Sequence, residues 1–546
     1  MPGLKKVFNG LDAKNVAQKK LKSNIIETIA FLCSSIAELR DKYRNELMEI
    51  SQSFLNYFQK INDDEIQMPT LINSFTHISL GMKEDFLPIL ETLLPVFEKY
   101  IKADIGFKLE DSALDDYIPE DEDNKDLNSI ILKVGSNNTK LSLNTFALQN
   151  KIVCLNALNC IMQNVGTCAN KYTTQLIQIS KEFLSFPLSG KIRKHAAKLF
   201  NTLIRINSDN KQQKFIIDGL GNDLLNELEK LLKKKNFKDA KRYLKIFTFA
   251  FESVKEKTNF SENFISKLYA LLGEICKLVD ETKKLTLEEA NDGEEDALLE
   301  EFDDYNEIER RVMEVNGIIF KLFGEPLTGL VSQYLLDSFL TNWKQNLGRK
   351  VLNSDQEILN SICFFDDFIE FGDLVAIKMI IASYIEFTST FNTENEDILQ
   401  SIVFGYGAVS KKLPKAEFAQ FKPTVISFIA KIMQREVNED NDRTYDNAIG
   451  ALGKFVAYQC EQDQQSAAMS KQFIKLLPLK HDLEEGKSIC AEFFSYIKSN
   501  NPLIMSNENI EEIKVTLNAI KELNAEKSFL DEEENNLKEI MDKFGI

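Results

Sequence analysis

Few side chains in this sequence could do acid–base or metal chemistry, and histidine is the scarcest of them. The chain of 546 residues contains three histidines, His77, His195 and His481. A transition-metal site needs several histidine or cysteine ligands at short spacings such as i and i+4, and none of these histidines has such a neighbour. The histidines are therefore predicted to be structural, and we expect no metal site and no cofactor.

A pair of adjacent carboxylates, Asp366 and Asp367, lies in the segment FFDDFIEF. Paired carboxylates can act as acid and base in hydrolytic enzymes. Consecutive residues of a helix point about 100° apart, however, so these two side chains would not reach the same substrate atom. We interpret the pair as polar residues on the inner face of a helix.

Phosphate-binding loops and nucleophile elbows do not occur in the sequence either. The nearest pattern, Gly405-Tyr406-Gly407, sits inside an apolar helical stripe, where glycines favour close packing between helices. With no nucleophile, base, metal cluster or phosphate loop in the expected spacing, the sequence predicts a protein that is not an enzyme.

The formal net charge is −18. It argues against direct nucleic-acid binding, because contact with phosphates needs a basic face. One basic run, KLLKKKNFKDAK at 230–241, ends a predicted helix, where lysines complement the helix dipole. An acidic surface attracts basic partners, so the sequence indicates binding of basic proteins.

Apolar residues recur at i, i+3, i+4 and i+7 from near residue 15 onward, as Ile25, Ile29 and Ile36 show in one stretch and Phe54 and Phe58 in the next. This is the stripe of a helix that packs on one face. The stripes come in pairs that repeat about every 40–45 residues, the period of HEAT and armadillo units. The sequence predicts an all-α HEAT-repeat superhelical solenoid of about ten helical pairs, as a single array over residues 1–546.

Two acidic segments interrupt this rhythm. Residues 106–147 combine many carboxylates with the polar run GSNNT, and residues 286–309 read TLEEANDGEEDALLEEFDDYNEIE. Both are predicted to be insertions between helices, as loops or partly disordered arms, and could be solvated spacers or contact surfaces. The candidate protein-binding residues are acidic side chains of the second segment: Glu288, Glu289, Glu294, Glu295, Asp296, Glu300, Glu301, Asp303 and Asp304.

The eight cysteines and the hydropathy pattern indicate the compartment. No two cysteines form a CxxC pair, and most lie in apolar helical runs, as core thiols do in a reducing compartment. No run approaches the roughly 18 apolar residues needed to cross a bilayer, and the amino terminus lacks the apolar core of a signal peptide. We expect a cytosolic, nuclear or shuttling protein without membrane insertion.

Five stretches of the sequence resemble a known family. Residues 190–199, GKIRKHAAKL, resemble the second-helix signature of a HEAT repeat. Residues 363–370, CFFDDFIE, 446–454, DNAIGALGK, 476–485, LLPLKHDLEE, and 499–504, SNNPLI, are similar to motifs of the importin-beta superfamily, in particular its importin five, or karyopherin beta-three, branch. The motifs follow the same order and nearly the same spacing as in that branch.

The resemblance implies a nuclear transport receptor that shuttles between cytoplasm and nucleus. Its expected partners are basic protein cargo, such as ribosomal proteins and histones, the Ran GTPase, whose GTP-bound form would release the cargo, and nucleoporins. The similar stretches correspond to the carboxy-terminal half of such a receptor. The chain is therefore expected to be a fragment, a truncated relative or a half completed by another chain.

A different class of function fits the same sequence. A HEAT-repeat scaffold subunit of a stable multiprotein complex would have the same helical periodicity and a similar surface. It would have an obligate partner and would not depend on Ran.

Overall fold

The computed structural model describes residues 6–8, 10, 16–61, 67–105, 108–111, 129–134, 137–142, 145–289, 295–346, 355–391 and 393–546. Its helices form two compact units, Met1–Lys267 and Leu268–Ile546. The first unit contains α1 (Val16–Ser35), α2 (Arg40–Phe58), α3 (Met68–Met82), α4 (Leu87–Lys102), α5 (Thr145–Val165), α6 (Thr173–Phe183), α7 (Gly190–Ile206), α8 (Asn210–Ile216), α9 (Asn222–Lys233) and α10 (Phe237–Phe251).

The division between the units falls within α11 (Glu262–Glu289). The second unit continues with α12 (Glu295–Phe323), α13 (Thr328–Val331), α14 (Asp337–Asn346), α15 (Asp355–Phe371), α16 (Leu374–Thr390), α17 (Glu396–Lys412), α18 (Lys415–Phe418), α19 (Lys422–Met433), α20 (Asp442–Gln459), α21 (Gln464–Leu476), α22 (Leu483–Lys498), α23 (Ile510–Lys527) and α24 (Glu534–Phe544).

Successive helical pairs stack on one another through one helix of each pair. In the first unit α1 packs on α3, α3 on α5, α5 on α7, and α7 on α10. In the second unit a row of the same kind contains α12, α15, α17, α20, α22 and α24. A helical pair cannot cover its own apolar face, so each pair is buried by the next. The predicted all-α class with repeating helical pairs is confirmed.

The core between stacked helices is rich in phenylalanine. Phe200 of α7 contacts Phe247 and Phe251 of α10, with ring centroids 5.9 Å and 6.3 Å apart. Phe251 in turn contacts Phe260 and Phe264 at 5.2 Å and 6.1 Å. Edge-to-face contacts of this kind add about 0.5–1.5 kcal/mol per pair beyond the area that they bury.

Buried polar side chains fix the register between neighbouring helices. The Asn159 amide of α5 donates a 2.9 Å hydrogen bond to the backbone carbonyl of His195 in α7, and the Thr202 hydroxyl donates one of 2.9 Å to the Asn159 carbonyl oxygen. Both side chains are buried. Because an unsatisfied buried amide is costly, these bonds favour one alignment of α5 on α7.

The first acidic segment differs from its sequence-based prediction. It contains three strands, β1 (Lys108–Asp111), β2 (Ser129–Val134) and β3 (Asn137–Ser142), in an antiparallel sheet of order β1-β3-β2. The prediction of a loop was wrong for these residues. The sequence SIILKV of β2 is rich in β-branched residues, which favour strands even beside acidic residues.

The second acidic segment is also more regular than predicted. Helix α11 extends to Glu289 and α12 begins at Glu295, so the predicted loop over 286–309 was wrong at both ends. Phe302 and Tyr305 of α12 are buried, with rings 6.3 Å apart. These apolar residues follow helical spacing among the carboxylates, and they hold the start of α12 on the core.

One helical stretch, Phe146–Phe183, is long and apolar enough to cross a membrane by length and composition alone. Half of its most apolar window is buried inside the protein. The stretch also comprises two helices, α5 and α6, joined by a 3-10 segment that begins at Gly166 with a positive φ of 68°. These features are typical of buried core helices, which can be as long and as apolar as a helix that crosses a membrane.

The glycine pair of α17 allows close packing, as predicted. A Cβ atom at Gly405 would overlap the Tyr384 hydroxyl and the Asp366 carboxylate, and one at Gly407 would lie 3.1 Å from the Cα atom of Ala451. Helices α15, α16 and α20 therefore approach α17 at positions where only glycine fits.

Replacement of Gly405 by alanine is expected to lower the free energy of unfolding by about 1–3 kcal/mol, because the new methyl group overpacks the core. Urea denaturation followed by circular dichroism measures this loss. The matched control is Gly329→Ala in α13, where a Cβ atom meets no other atom within 4 Å, and where alanine is the better helix former. Equal stability of the two variants would contradict the close approach.

Candidate protein-binding site

The predicted acidic binding residues belong to the end of α11 and the beginning of α12. Glu288 and Glu289 belong to the last turn of α11, and Glu295, Asp296, Glu300 and Glu301 to the first turns of α12. Glu294 lies outside the described residues. Asp303 and Asp304 are exposed on α12.

Further along α12 the negative charge is compensated. Arg310 and Arg311 both bind Glu307 and Glu314, with nitrogen–oxygen distances of 2.7–2.8 Å. The two arginines stand three or four residues from their partners, the spacing at which helical side chains meet. The first ten residues of α12, Glu295 to Asp304, contain the predicted residues of this helix and no lysine or arginine.

A buried lysine anchors this acidic end to the core. The Lys283 ammonium of α11 donates hydrogen bonds of 2.8 Å to Asn306 and 2.9 Å to Glu309, both in α12. It also lies 3.5 Å from Glu357 of α15. Burial and the neighbouring Glu309 raise the pKa of Asp280 to about 7. Three helices thus share one buried cation, which the sequence analysis did not identify.

A second buried ion pair links α20 and α22. The Lys454 ammonium lies 3.2 Å from Glu485, and the side chains are 4% and 6% exposed. Burial raises the pKa of Glu485, and Lys454 opposes that shift. Although burial opposes it, the carboxylates of Glu485 and Glu370 raise the pKa of Lys454. A buried pair of this kind contributes little net stability, but removing either partner alone is costly.

A single carboxylate, that of Asp446, holds the backbone of the turn before α22. One oxygen of Asp446 accepts hydrogen bonds from the backbone N–H groups of Lys480, His481 and Asp482, at 3.0, 2.7 and 3.0 Å. Asp482 then caps α22 by accepting a 3.1 Å bond from the N–H of Glu485. Asp446 thereby holds the backbone of this turn through three N–H groups.

Asp366 and Asp367 point to different neighbours, as expected for adjacent helical residues. Asp366 accepts a 2.6 Å hydrogen bond from the Tyr384 hydroxyl, and burial raises its pKa well above the ordinary range. Asp367 lies against Gly317 of α12. Burial and the nearby Glu370 raise the pKa of Asp367 to about 7. Each carboxylate thus lines a helix contact, and the two do not form a shared acid–base site.

The histidines are separate from one another. His77 packs on Phe31 with ring centroids 4.4 Å apart, and the His481 ring nitrogen lies 3.0 Å from Asp442. Burial and the adjacent lysines Lys198 and Lys194 lower the pKa of His195 to about 4. Among the residues that the structure describes, no group of three or more potential ligands could hold a metal ion.

The buried state of Asp367 predicts a pH dependence of stability. The folded chain keeps the Asp367 proton between about pH 4 and pH 7, whereas the unfolded chain, with a pKa of about 3.9, releases it. The Asp367 contribution therefore disfavours folding progressively as the pH rises through this range. Replacement by asparagine should remove about 2 kcal/mol of the stability loss between pH 5 and pH 7.

Urea midpoints at several pH values measure this difference. Asp303→Asn, a change of an exposed carboxylate on α12, is the control and should leave the pH dependence as in the parent chain. Parallel stability curves for Asp367→Asn and the parent chain would contradict the prediction.

Comparison with known proteins supports a common origin with transport receptors. No family model matches the chain. A curated relative, a probable importin-5 homolog from Dictyostelium discoideum, is 23% identical over 554 residues, which cover 94% of this chain and 46% of the relative. The chain thus spans about half the length of the curated relative that it matches.

Solved structures share the fold. Kap121p bound to RanGTP matches 99% of this chain and 54% of its own length, with a TM-score of 0.66 and 13% identity. Kap121p bound to Nup53p matches 95% of this chain and 47% of its own, with a TM-score of 0.66 and 15% identity. At such identities the likeness shows the fold, a HEAT-repeat architecture. Together with the similarity to an importin homolog over nearly the whole chain, it confirms the resemblance to the importin-beta superfamily found in the sequence.

Proposed function

We propose that this chain consists of repeats of a nuclear transport receptor that binds basic protein cargo and releases it when Ran-GTP binds. The observation that carries the proposal is the fold shared with a karyopherin that binds RanGTP, over 99% of this chain. The chain spans about half of such a protein. It therefore acts as a receptor by itself or together with further repeats.

Electrostatics support basic cargo, with ribosomal proteins and histones as the expected class. The chain has 84 acidic and 66 basic residues, and the sequence of α12 from Glu295 to Asp304 contains six carboxylates and no lysine or arginine. Opposite charge accelerates encounter and holds a mobile, lysine-rich segment through many weak contacts. The acidic end of α12, from Glu295 to Asp304, is the proposed contact region, extended by the last turn of α11.

Passage between cytoplasm and nucleus completes the proposed role. Kap121p has been crystallised with Nup53p and with several other proteins, among them Ste12p and Pho4p. A stack of helical pairs presents many shallow grooves between helices, which suits weak and repeated contact. We propose that this chain contacts nucleoporins in the same way and shuttles through the pore.

Capture of cargo by the purified chain tests the proposal. Immobilised chain is expected to retain a histone or a basic ribosomal protein at physiological salt and to release it when Ran loaded with GTP is added. Ran loaded with GDP is the control and should release none. Retention that both forms of Ran leave unchanged would favour a HEAT-repeat scaffold with another partner, and absence of retention would contradict cargo binding by this half.

Neutralisation of the acidic end of α12 tests the contact region. The variant replaces four carboxylates by the corresponding amides: Glu300, Glu301, Asp303 and Asp304. We expect the affinity for the same basic cargo to fall about tenfold, because long-range attraction weakens with each charge removed. Fluorescence anisotropy with labelled cargo at several salt concentrations measures it.

A matched control removes four carboxylates from elsewhere in the second unit. It replaces four exposed glutamates near or within α23 by glutamine: Glu508, Glu511, Glu522 and Glu526. Both variants gain the same charge, so an equal loss of affinity would show that net charge matters and that the start of α12 is not the contact region.

A further inference from the structure

One flank of α1 carries exposed side chains at the spacing of a seam between two helices. Its exposed residues follow alternating steps of four and three along the helix: Ala17, Leu21, Asn24, Thr28, Phe31 and Ser35. Such steps place side chains in one stripe, which in coiled coils meets the stripe of a partner helix. At about 1.5 Å per residue this stripe is about 27 Å long. We call these six residues the α1 seam.

The α1 seam contains no charged residue, although the net charge of the chain is −18. Leu21 and Phe31 are 49% and 50% exposed. The helix described last, α24, exposes a different surface, made largely of charged side chains: Glu534, Lys538, Glu539, Asp542 and Lys543. The end helices of a repeat array need a polar outer face to remain in contact with water. Helix α24 has such a face, whereas the α1 seam has the composition of a surface that another helix covers.

Packing within the first unit leaves the seam open and holds it in place. Helix α1 is buried on its other side, and a Cβ atom at Gly81 of α3 would overlap the Cys33 carbonyl oxygen of α1. The Phe31 ring contacts the His77 ring of α3, with centroids 4.4 Å apart, which limits the rotamers open to Phe31. A partner helix therefore meets side chains that are already positioned.

The hydroxyl groups of the seam are satisfied within α1. Thr28 donates a 2.7 Å hydrogen bond to the carbonyl of Asn24, and Ser35 donates one of 2.9 Å to the carbonyl of Phe31. A hydroxyl oxygen that has given its proton can still accept a hydrogen bond. Thr28 is thus an acceptor for a side-chain amide of a partner, and both hydroxyl protons keep their partners when water is excluded.

The order of side chains along the seam is the same when read in either direction: small, apolar, polar, polar, apolar, small. Two copies of α1 that pack antiparallel about a two-fold axis therefore match residues of the same kind. The pairs across the axis are Ala17 with Ser35, Leu21 with Phe31, and Asn24 with Thr28. A surface that complements itself in this way fits a second copy of the chain.

We propose that the α1 seam binds the same seam of a second copy, which forms a two-fold dimer. In this arrangement Leu21 of each copy packs on Phe31 of the other, so the large apolar side chains of the seam leave water. The Asn24 amide donates to the Thr28 hydroxyl oxygen of the second copy. One polar layer within an apolar seam fixes the register and the orientation of the two helices. Further copies are not added, because a two-fold contact uses the same surface of both partners.

Charge supports contact at this place. Two chains of net charge −18 repel each other, and the seam is a surface at which they approach without burying an unpaired charge. The charged residues beside the seam on α1, Lys20 and Glu27, have opposite signs. Because salt screens the repulsion between the chains, dimerisation is expected to strengthen as the salt concentration rises.

The size of the contact sets its strength. One pair of helices about 27 Å long buries less than the roughly 800 Å² per partner that is typical of stable dimers. The dimer is therefore reversible, with a dissociation constant on the order of micromolar. Because the chain spans 46% of its curated relative, two copies contain about as many residues as that relative. The inference rests on the surface of α1 and does not depend on the proposed function.

Sedimentation velocity of the full chain, at concentrations on either side of the micromolar range, tests the proposal. The seam variant carries Leu21→Glu and Thr28→Glu, which place carboxylates in the middle of the seam. The control variant carries Val375→Glu and Met379→Glu on α16, where the two apolar side chains are 74% and 71% exposed and thus more accessible than Leu21. Both variants add the same charge, and circular dichroism verifies that both keep the parent helix content.

The parent chain and the control variant are expected to convert from monomer to dimer as their concentration rises. The seam variant is expected to self-associate at least about tenfold more weakly, because its dimer buries unpaired carboxylates. A parent chain that stays monomeric over the whole range would overturn the proposal and leave the seam to a helix of a different protein. An equal loss of dimer in both variants would overturn it too, because it would show general association of apolar surfaces.

Disulfide cross-linking tests the antiparallel register independently. Asn24→Cys and Thr28→Cys are introduced into separate chains, each of which also carries Cys168→Ser to remove an exposed thiol. The mixture of the two chains is expected to give several-fold more disulfide dimer than either chain alone, because Asn24 faces Thr28 across the axis. A mixture that cross-links no better than the separate chains would contradict the antiparallel seam.

Discussion

The structure depends on one constraint: no helical pair can bury its apolar stripe without the next pair. A polar side chain that lies between stacked helices therefore needs a partner on its own helix or on a neighbouring repeat. Asn159 meets this requirement across α5 and α7, Lys283 across three helices and Lys454 across α20 and α22. The buried polar side chains consequently select the alignment of repeats, while the phenylalanines supply most of the burial.

The same constraint explains why chemistry-bearing residues have structural roles. Asp366 and Asp367 look like candidates for catalysis in the sequence, yet each lies in a helix contact, and Asp446 holds a backbone turn. Carboxylates in such positions have raised pKa values because burial disfavours their charge. Perturbed carboxylates are therefore a product of tight repeat packing here.

Helical periodicity was sufficient to predict the class of the fold, the repeating pairs and the packing role of Gly405. It failed in the two segments whose acidic composition suggested loops. The charge of residues 106–147 and 286–309 concealed the β-branched run of β2 and the helical spacing of Phe302 and Tyr305. The anchoring role of Lys283 could not be predicted, because a lysine on an apolar stripe is indistinguishable in sequence from one that extends to solvent. Its partners come from other helices and become known only with the register.

The buried Lys283 has a mechanical consequence. Its ammonium donates to Asn306 and Glu309 of α12 and lies 3.5 Å from Glu357 of α15, so three helices must keep their alignment for all of these contacts to form. A shift of one residue along a helix displaces its side chains by about 1.5 Å and turns them by about 100°, which breaks the contacts. Because a buried charge without its partners is costly, a joint between repeats that contains this lysine resists bending more than a joint closed by apolar side chains alone.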